Sequence, residues 1–403
     1  MSNLPQGWEV KTLSEIGEIV TGSTPSKSNL DFYGKDYPFF KPSDFEQGYF
    51  LENAGDNLSK LGFDKARQLP PKTILVVCIG SLGKVALTKV IGSCNQQINA
   101  IIPHKNIISE YIYYYCISSK FQSILFSKAP QTTLAILNKT EFSKLEIIYP
   151  KDIKEQERIV GILDFAFSKI DENIKKAKEN LANIDELMQS ALQKAFNPLN
   201  DNTKENYQLP QSWEWKSLGD TSNYGKTSQV KPSQLKGNDW ILELEDIEKE
   251  SGVLLQKVLF QDRQSKSNKI KFNKGDILFG TLRPYLKKVI IADDNGACSS
   301  EIMPFSTGNS ITNHFIYYYL CANFLHDRIS SLTYGARMPR LGTKDGKSLQ
   351  IPLPPLQEQE QIAEHLDFVF EKAKALKELY TKELKDYEEL KQSLLDKAFK
   401  GEL

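Results

Sequence analysis

The sequence predicts an α/β protein built as two pseudo-repeated mixed α/β domains separated by a pair of long antiparallel coiled-coil helices. Three observations carry this. The chain repeats itself once, at a period of about 204 residues, far longer than a solenoid repeat. Each half holds short β-branched runs punctuated by Gly, Pro and Asn. Each half then closes on a long stretch whose apolar residues alternate spacings of three and four.

The repeat is read in order. Leu4-Pro5-Gln6-Gly7-Trp8-Glu9-Val10-Lys11-Thr12-Leu13 returns as Leu209-Pro210-Gln211-Ser212-Trp213-Glu214-Trp215-Lys216-Ser217-Leu218. Ile74-Leu75-Val76 returns as Ile277-Leu278-Phe279, and Cys94-Asn95-Gln96-Gln97-Ile98 lines up with Cys298-Ser299-Ser300-Glu301-Ile302. Tyr111-Ile112-Tyr113-Tyr114-Tyr115 reappears as Phe315-Ile316-Tyr317-Tyr318-Tyr319. So many matches in one order exclude coincidence. Strands are expected over 74–79, 84–90, 98–102, 277–279 and 288–292. The Tyr-rich stretches open at Ser109-Glu110 and Thr312-Asn313, side chains suited to capping a helix. Their helical spacing makes the tyrosines core packing before it makes them base-stacking platforms.

The first long helix carries Val160, Leu163, Phe167, Ile170, Ile174, Ala177, Leu181, Ile184, Met188, Ala191 and Ala195 along one face, a coiled-coil seam of five heptads. The second carries Ala363, Leu366, Phe370, Ala373, Tyr380, Leu384, Tyr387, Leu394 and Ala398. Lys377 and Lys391 interrupt that seam, with Leu376 and Leu390 beside them. Pro354 and Pro355 precede the second helix, Glu358 and Glu360 lie in its first turns, and Lys397 and Lys400 lie near its exit, all favourable placements. Asn197-Pro198 ends the first helix, and a polar linker follows. A seam left alone stays wet, so the two are expected to pair antiparallel, with the domains at opposite ends; an ordinary helical hairpin without a spacing role is the plainer alternative. The expected divisions are 1–152, a first helix over 153–197, a linker over 198–208, a second domain over 209–354 and a second helix over 355–403.

Composition limits function. Forty per cent of the 403 residues are hydrophobic, enough for real cores. No apolar run approaches the roughly eighteen residues of a membrane span, and Met1–Gln6 shows no signal pattern. Five scattered cysteines without CxxC spacing fit reduced thiols in a cytoplasmic protein. The 51 basic residues are matched by 51 acidic ones. Neutrality weighs against a lone DNA binder but allows one whose partners share the phosphate contacts.

No catalytic constellation is visible. Gly80-Ser81-Leu82-Gly83-Lys84 and Tyr224-Gly225-Lys226-Thr227 miss the spacing of a phosphate loop. Asn197-Pro198-Leu199-Asn200 sits at a helix end without a strand. The four histidines are not spaced as metal ligands. What remains is polar loop chemistry: Thr24, Ser26, Lys27, Gln96, Gln97, Gln131, Thr132 and Thr133 in the first half. In the second half the counterparts are Lys226, Thr227, Ser228, Arg283, Tyr285, Lys287, Tyr334, Arg337 and Arg340. Amides pair with adenine, and arginine and lysine with guanine, in the major groove, whereas hydroxyls, lysines and glycine-loop N–H groups suit phosphates. Solvated connections are the ordinary fate of such loops, yet these diverge between the halves while the framework repeats, as two readers of different sequences require.

The chain resembles the specificity subunits of type I restriction-modification systems. The resemblance is carried by Leu-Pro-x-x-Trp at 4–8 and 209–213, by Thr21-Gly22-Ser23-Thr24-Pro25-Ser26, and by Leu353-Pro354-Pro355-Leu356-x-Glu358-Gln359. Leu192-Gln193-Lys194-Ala195-Phe196 and Leu395-Asp396-Lys397-Ala398-Phe399 extend it to both helix ends. The first copy departs from Leu-Pro-Pro-Leu with Tyr149-Pro150-Lys151-Asp152. The resemblance implies two target-recognition domains, each reading one half of a bipartite, asymmetric site in double-stranded DNA. The helices then act as a spacer and as a dock for two methyltransferase subunits, with two restriction subunits in the full assembly. No cofactor is expected on this chain; S-adenosylmethionine, ATP and Mg belong to partners that methylate adenine N6 after flipping it. The alternatives are a methyltransferase-only assembly, a fused enzyme, and a coiled-coil scaffold without a DNA role.

Overall fold

The computed structural model describes residues 4–129, 135–199, 207–250 and 252–403. The chain divides into two compact units, one of residues 1–177 with 382–403 and one of residues 178–381. Each unit therefore combines globular chain with part of both long helices.

In the first unit, strand Ile74–Val77 lies at the middle of a five-stranded sheet. Ile98–Pro103 and Val85–Thr88 flank it antiparallel, and Gly17–Thr21 and Phe50–Leu51 form the edges. The central strand is apolar throughout because all four of its residues are buried. It ends at Val77 rather than at residue 79, because the chain turns through Gly80 and Gly83, both at positive φ. A three-stranded sheet runs Asp56–Leu58, Tyr33–Phe40, Ser93–Cys94, and Trp8–Thr12 pairs antiparallel with Glu146–Pro150.

The second unit repeats the framework. Ile277–Gly280 lies between Val289–Ile291 and Ile302–Phe305, and Glu214–Ser217 pairs with Gln350–Leu353. What hangs on the framework differs: here a four-stranded sheet runs Gln229–Val230, Lys269–Phe272, Gly296–Cys298, Trp240–Leu242.

The Tyr-rich segments are helices Ser109–Ile117 and Asn313–Cys321. Thr312 caps the second, accepting from the Phe315 N–H at 3.2 Å. Ser109 does not cap the first: it is the first helical residue, and Ile108 takes the cap position. The orphan Ile108 N–H donates instead to Gln156 Oε1 at 2.9 Å, so a distant side chain does what a local hydroxyl was expected to do. Tyr114, Tyr115, Tyr318 and Tyr319 are buried in the cores. The Tyr114 hydroxyl donates to Asp164 at 2.6 Å and the Tyr318 hydroxyl to Asp367 at 2.5 Å, tying each Tyr-rich helix to the long helix beside it.

The long helices are Ile153–Phe196, of 44 residues, and Leu356–Ala398, of 43 residues, each about 65 Å at ~1.5 Å per residue. Their entrances share one device. Gln156 and Gln359 are fully buried. Gln156 Nε2 donates to the carbonyls of Pro150 (2.9 Å) and Asn106 (3.3 Å). Gln359 Nε2 donates to those of Pro354 (2.8 Å) and Ser310 (3.0 Å), while its Oε1 accepts from the Thr312 N–H at 3.0 Å. The departure at Lys151-Asp152 leaves this latch intact, and Asp152 Oδ1 accepts from the Lys154 N–H at 3.0 Å at the helix start.

Within each unit the helices run antiparallel, and the end of one docks in the globular core built mostly by the other half of the sequence. In the first unit Leu395, Ala398 and Phe399 are buried, Phe399 edge-on to Tyr111 and Tyr115 at 5.5 and 5.0 Å. In the second, Leu192 and Phe196 are buried, Phe196 edge-on to Phe315 and Tyr319 at 5.1 and 5.2 Å. Each such apolar side chain stabilises by about 1.5–3 kcal/mol on burial. Two glutamines repeat here too: Gln392 Oε1 accepts from the Ser119 N–H (3.1 Å), and Gln189 Oε1 from the Asn323 N–H (2.9 Å).

The interrupted seam resolves in the same way in both units. Lys391 and Lys377, not Leu390 and Leu376, face the first helix. Lys391 bonds Asp171 at 2.5 Å and lies over the Phe167 ring at 5.4 Å; Lys377 bonds Asp185. Among the described residues no helix is long and apolar enough to cross a membrane.

Candidate nucleic-acid interface

In the first unit the loop after strand Gly17–Thr21 lies against the turn Cys94–Gln97. Gly22 makes the approach possible, since a Cβ there would fall on the main-chain oxygens of Cys94 and Asn95. The Ser23 N–H donates to the Cys94 carbonyl at 3.0 Å, and the Thr24 hydroxyl donates to Gln96 Oε1. Ser23 Oγ accepts from the Arg67 N–H at 3.1 Å. The structure thus brings Thr24 and Gln96 together, though they stand far apart in sequence. Ser26 and Lys27 are exposed on the same loop, the Ser26 hydroxyl 2.8 Å from that of Ser28. Gln97 is half-buried: its Oε1 accepts from Asn95 Nδ2 at 2.8 Å, which makes it a brace of the turn. Gln131, Thr132 and Thr133 lie outside the described residues.

In the second unit three segments meet. Arg283 is in the left-handed region at φ 49°, and its N–H donates to the Pro339 carbonyl at 2.7 Å. Leu282 bridges to Arg340, and Thr333–Tyr334 pairs with Arg340–Leu341. The Thr281 N–H donates to the Glu301 carbonyl at 2.8 Å, and the Glu301 carboxylate stands 3.8 Å from the Arg340 guanidinium. The cleft between them is lined by Glu243, Glu245, Arg263, Arg283, Lys288 and Glu301. Arg263 is spoken for: its Nη2 donates to both carboxylate oxygens of the buried Asp246, at 2.6 and 2.7 Å. Met338 also lines the cleft and is exposed, as are Tyr285, Tyr334 and Arg337 on the same segments. Lys287 bonds Asn323, which ties it to the helix Asn323–Ser331. Lys226, Thr227 and Ser228 are exposed and follow Gly225, which lies against Thr343 and Lys347.

Sequence reading did not single out Arg67 or Glu301 for this surface. Arg67 had no local motif to flag it. Glu301 was visible only as the counterpart of Gln97, in a repeat whose acidic member was not weighed. The thiols offer no nucleophile: burial pushes Cys78 and Cys94 up to about 12. Among the described residues no cluster of His, Cys, Asp and Glu could hold a metal ion.

Two similar α/β units, each carrying loops with guanidinium, amide or hydroxyl groups, make this a two-module protein. The chain belongs to the type I restriction-modification specificity subunits: the family model for the type I restriction modification DNA specificity domain matches residues 5–183 and again 210–385. It is 39% identical over 176 residues to the HindI specificity subunit of Haemophilus influenzae, spanning 42% of this chain and 38% of that relative. It is 25% identical over 377 residues to the MjaIX specificity subunit of Methanocaldococcus jannaschii, spanning 88% and 85%. A chain solved in work on complex assembly and conformational transition of the type I R-M system superposes with a TM-score of 0.79 at 19% identity, covering 100% of both chains, a likeness of fold.

Proposed function

We propose that each unit reads one half of a bipartite, asymmetric site in double-stranded DNA, and that the long helices set the spacing and dock two methyltransferase subunits. Restriction subunits join the same assembly. S-adenosylmethionine, ATP and Mg serve the partners, and this chain supplies the address rather than the chemistry. The residues proposed to touch DNA are the loop candidates above apart from Gln97 and Thr24, which brace the first loop, with Arg283, Arg337 and Arg340 suited to guanine and Gln96 to adenine, and the other hydroxyls and the lysines to phosphates.

One observation carries this reading: the framework strands, latches and docking ends repeat, whereas the loops mounted on them do not. A structure-only duplication has no use for that division. The test is to exchange residues 209–353 for another recognition domain and to map methylated adenines made by the reconstituted complex. One half of the recognised sequence is expected to change and the other to stay. A change in both halves, or in neither, defeats the one-unit, one-half-site assignment.

A further inference from the structure

Resting on that reading, we propose that Arg67 is the guanine-reading side chain of the first unit, held in place by Ser23. Arg67 is the one arginine in residues 1–152, whereas the second recognition region has five between 209 and 354. An arginine fork onto guanine O6 and N7 is among the commonest specific contacts in the major groove, and lysine, which also reads guanine, lacks the planar fork. Residues 1–152 therefore hold one arginine able to make that fork, and Arg158 on the long helix is engaged with Glu155 and the Leu403 carbonyl.

The fold delivers that residue to the recognition surface. Arg67 follows the short helix Lys60–Lys65, 44 residues from Ser23 in the chain, and its N–H is bonded to Ser23 Oγ. The next residue of the same loop, Thr24, bonds Gln96. Gly22 lets this loop press onto the Cys94–Gln97 turn. Three consecutive small residues thus hold the main chain of Arg67 and the side-chain amide of Gln96, from distant parts of the sequence, beside one loop. Asp64, three residues back, is already engaged: Lys60 bonds it at 2.6 Å, and Gln68 Nε2 donates to the same oxygen at 3.3 Å. The Arg67 side chain is exposed and has no partner among the described residues. Ser23 and Thr24, whose hydroxyls are occupied within the unit, are positioning residues.

The experiment uses the full chain with its methyltransferase partners, binding and methylating a library of duplexes varied across both half-sites. Arg67→Ala is expected to lower the preference for guanine at one position of one half-site by roughly tenfold to 100-fold, with the other half-site unchanged. Arg67→Lys keeps the charge but not the fork, and is expected to fail in the same way. Ser23→Ala is expected to relax that same position to a smaller degree, and Ser23→Thr to restore it. Both Arg67 variants should melt with the parent chain, because the side chain is exposed. Uniform weakening on all sequences, rescued by Arg67→Lys and accompanied by a shallower salt dependence, makes Arg67 a phosphate contact and overturns the proposal. Unaltered preference overturns it too. A parent complex with no sequence preference defeats the underlying reading as well, which separates the two failures.

Discussion

Gln156 and Gln359 show what a single buried amide does here. Each satisfies one orphan N–H and two carbonyls at the junction of a Tyr-rich helix, a framework strand and a long helix. A buried partner left without its bond costs about 1–3 kcal/mol, so each Gln holds its junction through hydrogen bonds that a side chain of another type would leave unmade. His326 poses the opposite case. It is buried in the second unit, with Nε2 2.7 Å from the Leu320 carbonyl, and burial lowers its pKa from 6.5 to about 4. The unfolded chain then binds the proton that the folded unit resists. Stability present above about 6.5 is lost as pH falls toward about 4, by up to ~3 kcal/mol. Urea unfolding of the parent and of His326→Gln at pH 7 and pH 4.5 checks this: the parent should lose more than the variant, and equal losses would discount the histidine.

At the scale of elements, the seam lysines are the departure from a plain coiled coil. Lys391 is 15% exposed but Asp171 is 61% exposed, so solvent screens the pair and its net contribution is at most about 1 kcal/mol. A polar residue at a seam position commonly defines register and partner at a cost in stability. Lys391→Leu is therefore expected to stabilise the first unit by about 1 kcal/mol in urea unfolding. A loss of stability would mean that the ion pair and the Phe167 ring contact outweigh the apolar burial a leucine offers. Both lysines stand on the second helix and both aspartates on the first, so the pairs distinguish the two helices although the apolar seam hardly does.

For the whole molecule, the proposed spacer is testable by length. Deleting one heptad from each long helix shortens it by about 10.5 Å, or roughly three base pairs of duplex. The gap between half-sites in the methylated sequence is expected to shrink accordingly, with each half-sequence kept. An unchanged gap would remove the helices from any measuring role. The deletion must be matched in both helices, because in each unit they pair antiparallel and a one-sided change breaks the register of both docking ends.

Much of this was legible in the amino-acid order. Periodicity is a local property of helices and strands, so the duplication, the framework strands and the first seam could be read directly. Turns were less legible: the strand before Gly80 stops early because positive φ, not hydropathy, ends it. The proposed recognition surface was legible only as residue types. Nothing in the sequence joins Ser23 to Arg67 or Arg283 to Pro339, because those contacts depend on how loops from separate strands converge. By itself the sequence determined a repeated α/β framework and its two long helices, since hydrophobic spacing dictates which face is buried. Only the tertiary structure decided that the end of each helix completes the other half's core, and which polar side chains share a surface, because side-chain reach and main-chain bonding across distant segments are set by packing.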